Sequence, residues 1–175
     1  HKNTILNPSD LEKEIKKNKI TIMWLTSPLF SQLAEEKAEI FKGLKTLLVG
    51  GDVVSPKYTD RVRKCCPSIK IINGYGPTEN TTFSTTFLID NYYDNIPIGK
   101  PVTNSTAYVV GKSNKLQPVG VYGELWVGGD GVARGYLNKE EMTKEKFIPN
   151  PFGKGMIYKT GDLVRWLPNG NIEFL

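Results

Sequence analysis

The sequence is poor in the groups that most often carry out chemistry. Its 175 residues hold one histidine, His1, and two cysteines, Cys65 and Cys66. One histidine at the first position leaves no candidate for imidazole acid–base catalysis in the rest of the chain. Adjacent cysteines rarely reach disulfide geometry, and there is no second pair to complete a metal site. That usage suits a reducing compartment, so a cytoplasmic location is expected. No run approaches the roughly 18 consecutive apolar residues of a membrane span, and no signal-like segment opens the sequence. Basic runs with interleaved aromatics are also missing. The net charge of +5 comes from scattered residues such as Lys13, Lys16 and Lys17, which solvate a helix face. Neither a membrane nor a nucleic acid is expected as a partner.

What is present divides in two. Up to residue 90 helix and strand patterns alternate. Pro8-Ser9-Asp10 starts a helix with Leu11 and Ile15 on one face, and 20–25 is a strand-like run. Ser27-Pro28 opens a second helix with Leu29, Phe30 and Leu33 inward. A strand over 46–49 ends at Gly50-Gly51. Ser55-Pro56 starts a third helix, whose buried stripe is expected at Tyr58, Val62 and Cys65 or Cys66, and a strand follows at 69–72. This order predicts βαβ units and a largely parallel sheet. From 91 to 175 the pattern becomes short strands between turns, at 106–110, 121–127, 156–166 and 172–175, with one helix over 139–146. Pro168-Asn169-Gly170 signals a hairpin. The expected class is α/β plus β: a partial Rossmann- or flavodoxin-like βαβ subdomain over 1–90, then a small distorted antiparallel β-barrel over 91–175.

The segment densest in chemistry is Asn73-Gly74-Tyr75-Gly76-Pro77-Thr78-Glu79, directly after the third predicted strand. In open parallel sheets ligands bind beyond the carboxyl ends of the strands. Two glycines let backbone approach a ligand closely, and Pro77 stiffens the loop. Tyr75 offers a flat face to a base, Thr78 a hydroxyl to phosphate, and Glu79 a carboxylate to a hard cation such as magnesium. Composition alone favours a plain Gly-Pro turn with a surface Glu. The glycine-rich stretch 123–135 is no phosphate loop, because no Lys-Ser or Lys-Thr pair ends it and no helix follows its glycines closely. Its expected work is structural, with Glu124 and Arg134 as a local ion pair or loop brace.

Order and identity decide what composition does not. The segment 73–79 closely resembles the nucleotide-binding signature of the adenylate-forming superfamily. Two further segments resemble that family in the same order. One is Gly123-Glu124-Leu125-Trp126-Val127-Gly128-Gly129-Asp130-Gly131-Val132-Ala133-Arg134-Gly135-Tyr136-Leu137, and the other is Tyr158-Lys159-Thr160-Gly161-Asp162-Leu163. Their spelling is that of nonribosomal peptide synthetase adenylation domains, and the resemblance covers nearly the whole chain.

The resemblance implies roles. Asp162 takes the ribose hydroxyls and Tyr75 stacks on adenine, while Asn73 and the Gly74 backbone meet its polar edge. Gly51, Asp52 and Gly76 belong to the same nucleotide set. Phe174 stands where many relatives carry a tyrosine. Thr78 holds phosphate and Glu79 holds magnesium, the pair nearest the reaction. The acid's side chain meets Trp24, Leu48, Gly50, Gly74, Thr82 and Phe83. None of these is charged, and the set resembles that of valine-activating domains. The implied reaction is amino-acid activation with ATP and Mg2+, followed by loading onto the phosphopantetheine thiol of a carrier protein. Carrier-protein and condensation domains are the implied partners. The family's Ser/Thr/Gly-rich phosphate loop, its amine-binding aspartate and its C-terminal lysine are not among these residues, so the 175 residues alone are expected to be inactive. The alternatives are an aryl- or acyl-CoA ligase of the same superfamily, or a catalytically silent nucleotide-binding or docking module.

Overall fold

A computed structural model describes residues 5–175, so His1 lies outside the described residues. The strands form two sheets of five. By compactness the chain divides into two units. One runs through Asn73 and takes back Leu88–Ile96; the other holds Gly74–Phe87 and Pro97–Leu175.

In the first unit, helix α1 is Pro8–Lys17. Its cap is Asn7, whose Oδ1 accepts from the backbone N–H of Ser9 at 3.0 Å and of Asp10 at 3.1 Å. Pro8 then costs nothing, because a first-turn N–H has no partner within the helix. Leu11 and Ile15, four apart, are buried as their spacing predicts. Strands β1, Ile22–Thr26, and β2, Thr46–Gly50, pair in parallel, with Trp24 opposite Leu48 and Thr26 opposite Gly50. Alternation sends Leu25, Leu47 and Val49 into the core, while Ile22 and Trp24 on the other face stay exposed. Helix α2, Ser27–Lys37, buries Phe30, Leu33 and Ala34; Leu29 is only half-buried.

Helix α3 spans Pro56–Cys65 and corrects one expectation. Thr59, not Tyr58, joins Val62 on the buried stripe, with Cys66 buried just beyond the helix. Thr59 can be buried because its hydroxyl back-bonds to the carbonyls of Ser55 and Pro56 at 3.2 and 3.0 Å. Tyr58 remains half-exposed, with the Lys57 ammonium 4.8 Å from its ring centre. Both cysteines are free thiols, and burial pushes Cys66 up to about 12. Strand β3, Lys70–Tyr75, begins in this unit and ends in the other.

The second unit contains β5, Lys100–Pro101, paired antiparallel with β4, Thr85–Ile89. Neither strand is evident in the sequence pattern. The rest is an antiparallel sheet. It comprises β6 (Ser105–Val110), β7 (Gly123–Gly129), β8 (Phe147–Pro149), β9 (Met156–Trp166) and β10 (Ile172–Phe174). Its order is β10-β9-β7-β6, with β8 also on β9. The expected hairpin joins β9 to β10, pairing Trp166 with Ile172, and Gly170 takes the φ of +76° that a side chain resists. Val109, Leu125, Val127, Val164 and Ile172 pack beneath, joined by Ile98, Phe147 and Tyr158. Helix α4, Glu140–Lys146, lies close to its predicted place.

Candidate active site

The second unit gathers three of the sequence-derived nucleotide residues. Tyr75 ends β3, and its hydroxyl donates a short hydrogen bond to Asp162 Oδ2. Its ring lies 6.4 Å from that of Phe174, tilted by 41°. Burial first, and then the Asp162 carboxylate it serves, push the Tyr75 phenol far above its ordinary ionisation range.

Asp162 reaches this position through an irregularity in the sheet. Glu124 pairs with Leu163 and Trp126 with Lys159, so the β9 residues between them outnumber Leu125 opposite. Such a bulge leaves residues outside the ladder and re-aims their side chains. Three contacts hold it. The Thr160 hydroxyl donates to the Leu125 carbonyl at 2.7 Å and accepts the Asp162 N–H at 3.0 Å, and the Gly161 N–H donates to Glu124 Oε1 at 2.9 Å. Glu124 is thus a loop brace, but towards Gly161. Arg134 is exposed, and the salt bridges found among the described residues do not include it.

Beyond Tyr75 the chain folds back sharply. A Cβ on Gly76 would lie 2.5 Å from the Thr82 carbonyl oxygen, so only glycine fits. A Cβ on Gly74 would lie 2.6 Å from the Phe83 ring, which fills the space over that residue. Between these strands, Thr78–Asn80 makes one 3-10 turn. Thr81 and Thr82 follow with φ of +44° and +65°, strained values for β-branched residues. Thr78 is exposed.

Glu79 sits in this turn under two tyrosines. Tyr136 donates to Glu79 Oε1 at 2.6 Å, and the Tyr136 and Tyr158 hydroxyls are 3.2 Å apart. Burial acts to raise the Glu79 carboxyl, but hydrogen bonds from Tyr136, the backbone and Tyr158 outweigh it and hold the group below its ordinary value. It is therefore ionised at neutral pH. An ionised carboxylate offers about four acceptor sites, so two phenols do not exhaust it. Among the described residues no three His, Cys, Asp or Glu side chains cluster as a metal cage. One ionised carboxylate without a cage fits magnesium, which is usually held by one or two carboxylates plus substrate phosphates. Sequence reasoning assigned no role to Tyr136 or Tyr158, although both stand inside segments it singled out.

The first unit carries the remaining sequence-derived residues. Asn73 is buried at the end of that unit's share of β3. Gly51, at φ +77°, and Asp52 are exposed after β2, and Asp52 accepts the N–H of Val53 at 2.7 Å. Trp24, Leu48 and Gly50 share one face of the β1–β2 pair, with Trp24 47% exposed.

A family described as "AMP-binding enzyme" matches residues 1–137. Gramicidin S synthase 2 of Brevibacillus brevis is 59% identical over 176 residues, covering 99% of this chain and 4% of the relative. Tyrocidine synthase 3 of Brevibacillus parabrevis is 56% identical, covering 99% and 3%. The chain thus spans only a few per cent of the length of these synthetases. Among solved structures, holo-PA1221, an NRPS protein containing adenylation and PCP domains, superposes with a TM-score of 0.93 at 31% identity, covering 97% of this chain and 31% of that one. The fused adenylation–PCP protein NpsA-ThdA from Klebsiella oxytoca gives 0.89 at 28% identity, covering 97% and 33%. With its signature residues placed as described, the chain belongs to the AMP-binding enzyme family, as adenylation-domain sequence of the nonribosomal peptide synthetase kind.

Proposed function

We propose that the protein carrying this sequence activates an amino acid with ATP and passes it to a carrier-protein thiol. The observation that carries this reading is the grouping of Tyr75, Asp162 and Phe174. A carboxylate beside two aromatic rings suits a nucleoside, whose vicinal hydroxyls donate to a carboxylate and whose base is flat. Asn73, Gly74 and Gly76 are assigned to the same nucleotide, as are Gly51 and Asp52. Following the same resemblance, residues 1–90 are read as a partial Rossmann- or flavodoxin-like subdomain and residues 91–175 as a distorted barrel.

In the reaction, a substrate carboxylate oxygen attacks the α-phosphorus of ATP, a P–O bond forms, and the bond to pyrophosphate breaks. Asp162 and Tyr75 fix the nucleoside, which makes the attack effectively intramolecular. Thr78 donates its hydroxyl to phosphate oxygen. Glu79 supplies an ionised carboxylate to magnesium, and the cation when bound neutralises charge gathering on the phosphates.

By the same resemblance, Trp24, Leu48, Gly50, Gly74, Thr82 and Phe83 are assigned to the amino-acid side chain. An uncharged set leaves a charged side chain without a partner for its lost hydration. The set includes two bulky rings, Trp24 and Phe83, and the absent side chain of Gly74 leaves room for the Phe83 ring. A short, branched aliphatic side chain fits best, and the specific substrate proposed is L-valine.

Amino-acid-dependent ATP–pyrophosphate exchange by the full synthetase module tests this, with the 175-residue chain alone as a control expected to give background. Asp162→Ala and Tyr75→Ala should each raise the KM for ATP, because a hydrogen bond to a charged group is worth about 1.5–3 kcal/mol, roughly 10- to 100-fold. Unchanged ATP saturation in both variants would refute the nucleotide assignment. Exchange driven by aryl acids instead of amino acids would refute the substrate class.

A further inference from the structure

We propose that Tyr136, supported by Tyr158, is a positioning residue that holds the Glu79 carboxylate in place for the divalent cation on the nucleotide phosphates. This rests on the assignment of Glu79 to the cation made above.

The need for such a residue follows from the local backbone. Glu79 stands in a three-residue 3-10 turn, Thr78–Asn80. A turn that short has almost no cooperative stability of its own, and a glutamate has three side-chain torsions to immobilise. The chain meets this with contacts from one loop, 50 residues and more away in sequence. The Ala133 N–H donates to the Glu79 carbonyl at 2.8 Å and the Thr81 hydroxyl donates to the Gly131 carbonyl at 2.7 Å, which fixes the turn. The Tyr136 hydroxyl at 2.6 Å then fixes the carboxylate itself.

Tyr136 is in turn secured from three directions. Its N–H donates to the Thr143 hydroxyl of α4 at 2.9 Å. Its ring meets that of Phe147 edge-on at 5.4 Å, and Phe147 lies 5.0 Å from the Tyr158 ring. The Tyr158 hydroxyl, 3.2 Å from that of Tyr136, completes the pair. The tyrosine ring is therefore rigid before its hydroxyl meets the carboxylate. A phenol suits this task because it donates one hydrogen bond without neutralising the charge that a cation needs, whereas lysine or arginine there would compete with the cation. The glycine-rich stretch 123–135, which leads into Tyr136, thus has a purpose beyond turn-making: it delivers this hydroxyl.

The experiment uses the full synthetase module with ATP and compares Glu79→Gln, Tyr136→Phe, Tyr158→Phe and the Glu79→Gln/Tyr136→Phe pair. Two quantities are read: Mn2+ binding to the enzyme–ATP complex by electron paramagnetic resonance, and the Mg2+ concentration giving half-maximal pyrophosphate exchange. Tyr136→Phe keeps the ring packing and should weaken Mn2+ binding about tenfold, as loss of a group orienting a metal ligand commonly does. The KM for the amino acid should move less than about twofold, a split that loss of packing alone would not give. Tyr158→Phe should act in the same direction but more weakly. Adding Tyr136→Phe to Glu79→Gln should cost nothing further, because Tyr136 acts through Glu79. If Glu79→Gln weakens Mn2+ binding and neither phenylalanine variant does, the positioning role is wrong while the assignment of Glu79 stands. If Glu79→Gln itself leaves metal binding unchanged, the underlying assignment falls and the proposal with it.

Discussion

Tyr75 carries two duties in one side chain. In the proposed nucleotide site its ring is the flat surface offered to a base, and its hydroxyl holds Asp162 Oδ2. Removal of the whole side chain therefore withdraws both the ring and the group that orients Asp162. Trp24 is different in kind. It projects from the exposed face of β1 opposite Leu48, and no packed core requires its bulk there. If it bounds the amino-acid side chain, Trp24→Ala should shift preference towards longer or aromatic substrates while leaving the KM for ATP unchanged. The shift should be graded, because one methylene is worth only about 1–3 kcal/mol of discrimination. Pyrophosphate exchange across a panel of amino acids checks this, and an unaltered substrate ranking would remove Trp24 from the site. Sequence order revealed Tyr75 and Asp162 separately. Their bond was not legible, because it spans 87 positions and depends on an irregular strand that no periodicity announces.

Among the elements, those with long periodic faces were readable and the short ones were not. The faces of α1 and α2 follow from 3.6-residue spacing, and the β9–β10 hairpin follows from Pro168-Asn169-Gly170. Strand β5 has two residues, too few to show a pattern. Tyr58 misled because an aromatic reads as core and a threonine does not, until the hydroxyl finds a helix carbonyl. One tie between elements carries a pH signature. Glu12 on α1 accepts from Lys16 at 2.5 Å and from Lys37 on α2 at 2.6 Å. These two ammonium groups hold its carboxyl at about 2, against an ordinary 4.5. A depressed carboxyl stabilises the fold above its unfolded value and loses that contribution as pH falls towards its folded one. Glu12→Gln should therefore speed amide hydrogen exchange in α1 at neutral pH, relative to the parent, and the difference should disappear as the pH falls from 4.5 to 2. A difference that persists unchanged at pH 2 would show that the Glu12–Lys37 ion pair does not tie the helices together.

For the molecule as a whole, 31% identity to holo-PA1221 accompanies a TM-score of 0.93. What persists at that distance is the backbone path. Burial and neighbouring acceptors raise the ionisation of four of the eight tyrosines, Tyr75, Tyr93, Tyr136 and Tyr158, and most strongly that of Tyr75 and Tyr158. A phenol whose ionisation is raised by folding stabilises the native state below its unfolded value near 10 and weakens it as the pH climbs further. Titrated with base, exposed phenols should develop phenolate absorbance gradually and reversibly. These two should appear together, late, in one step that coincides with loss of the near-ultraviolet dichroism. The Tyr75→Phe/Tyr158→Phe variant should lack that part of the step, and smooth ionisation of all the phenols ahead of unfolding would contradict it. The hydroxyl that holds Asp162 and the one that backs the Tyr136–Glu79 bond therefore also give the fold an alkaline ceiling.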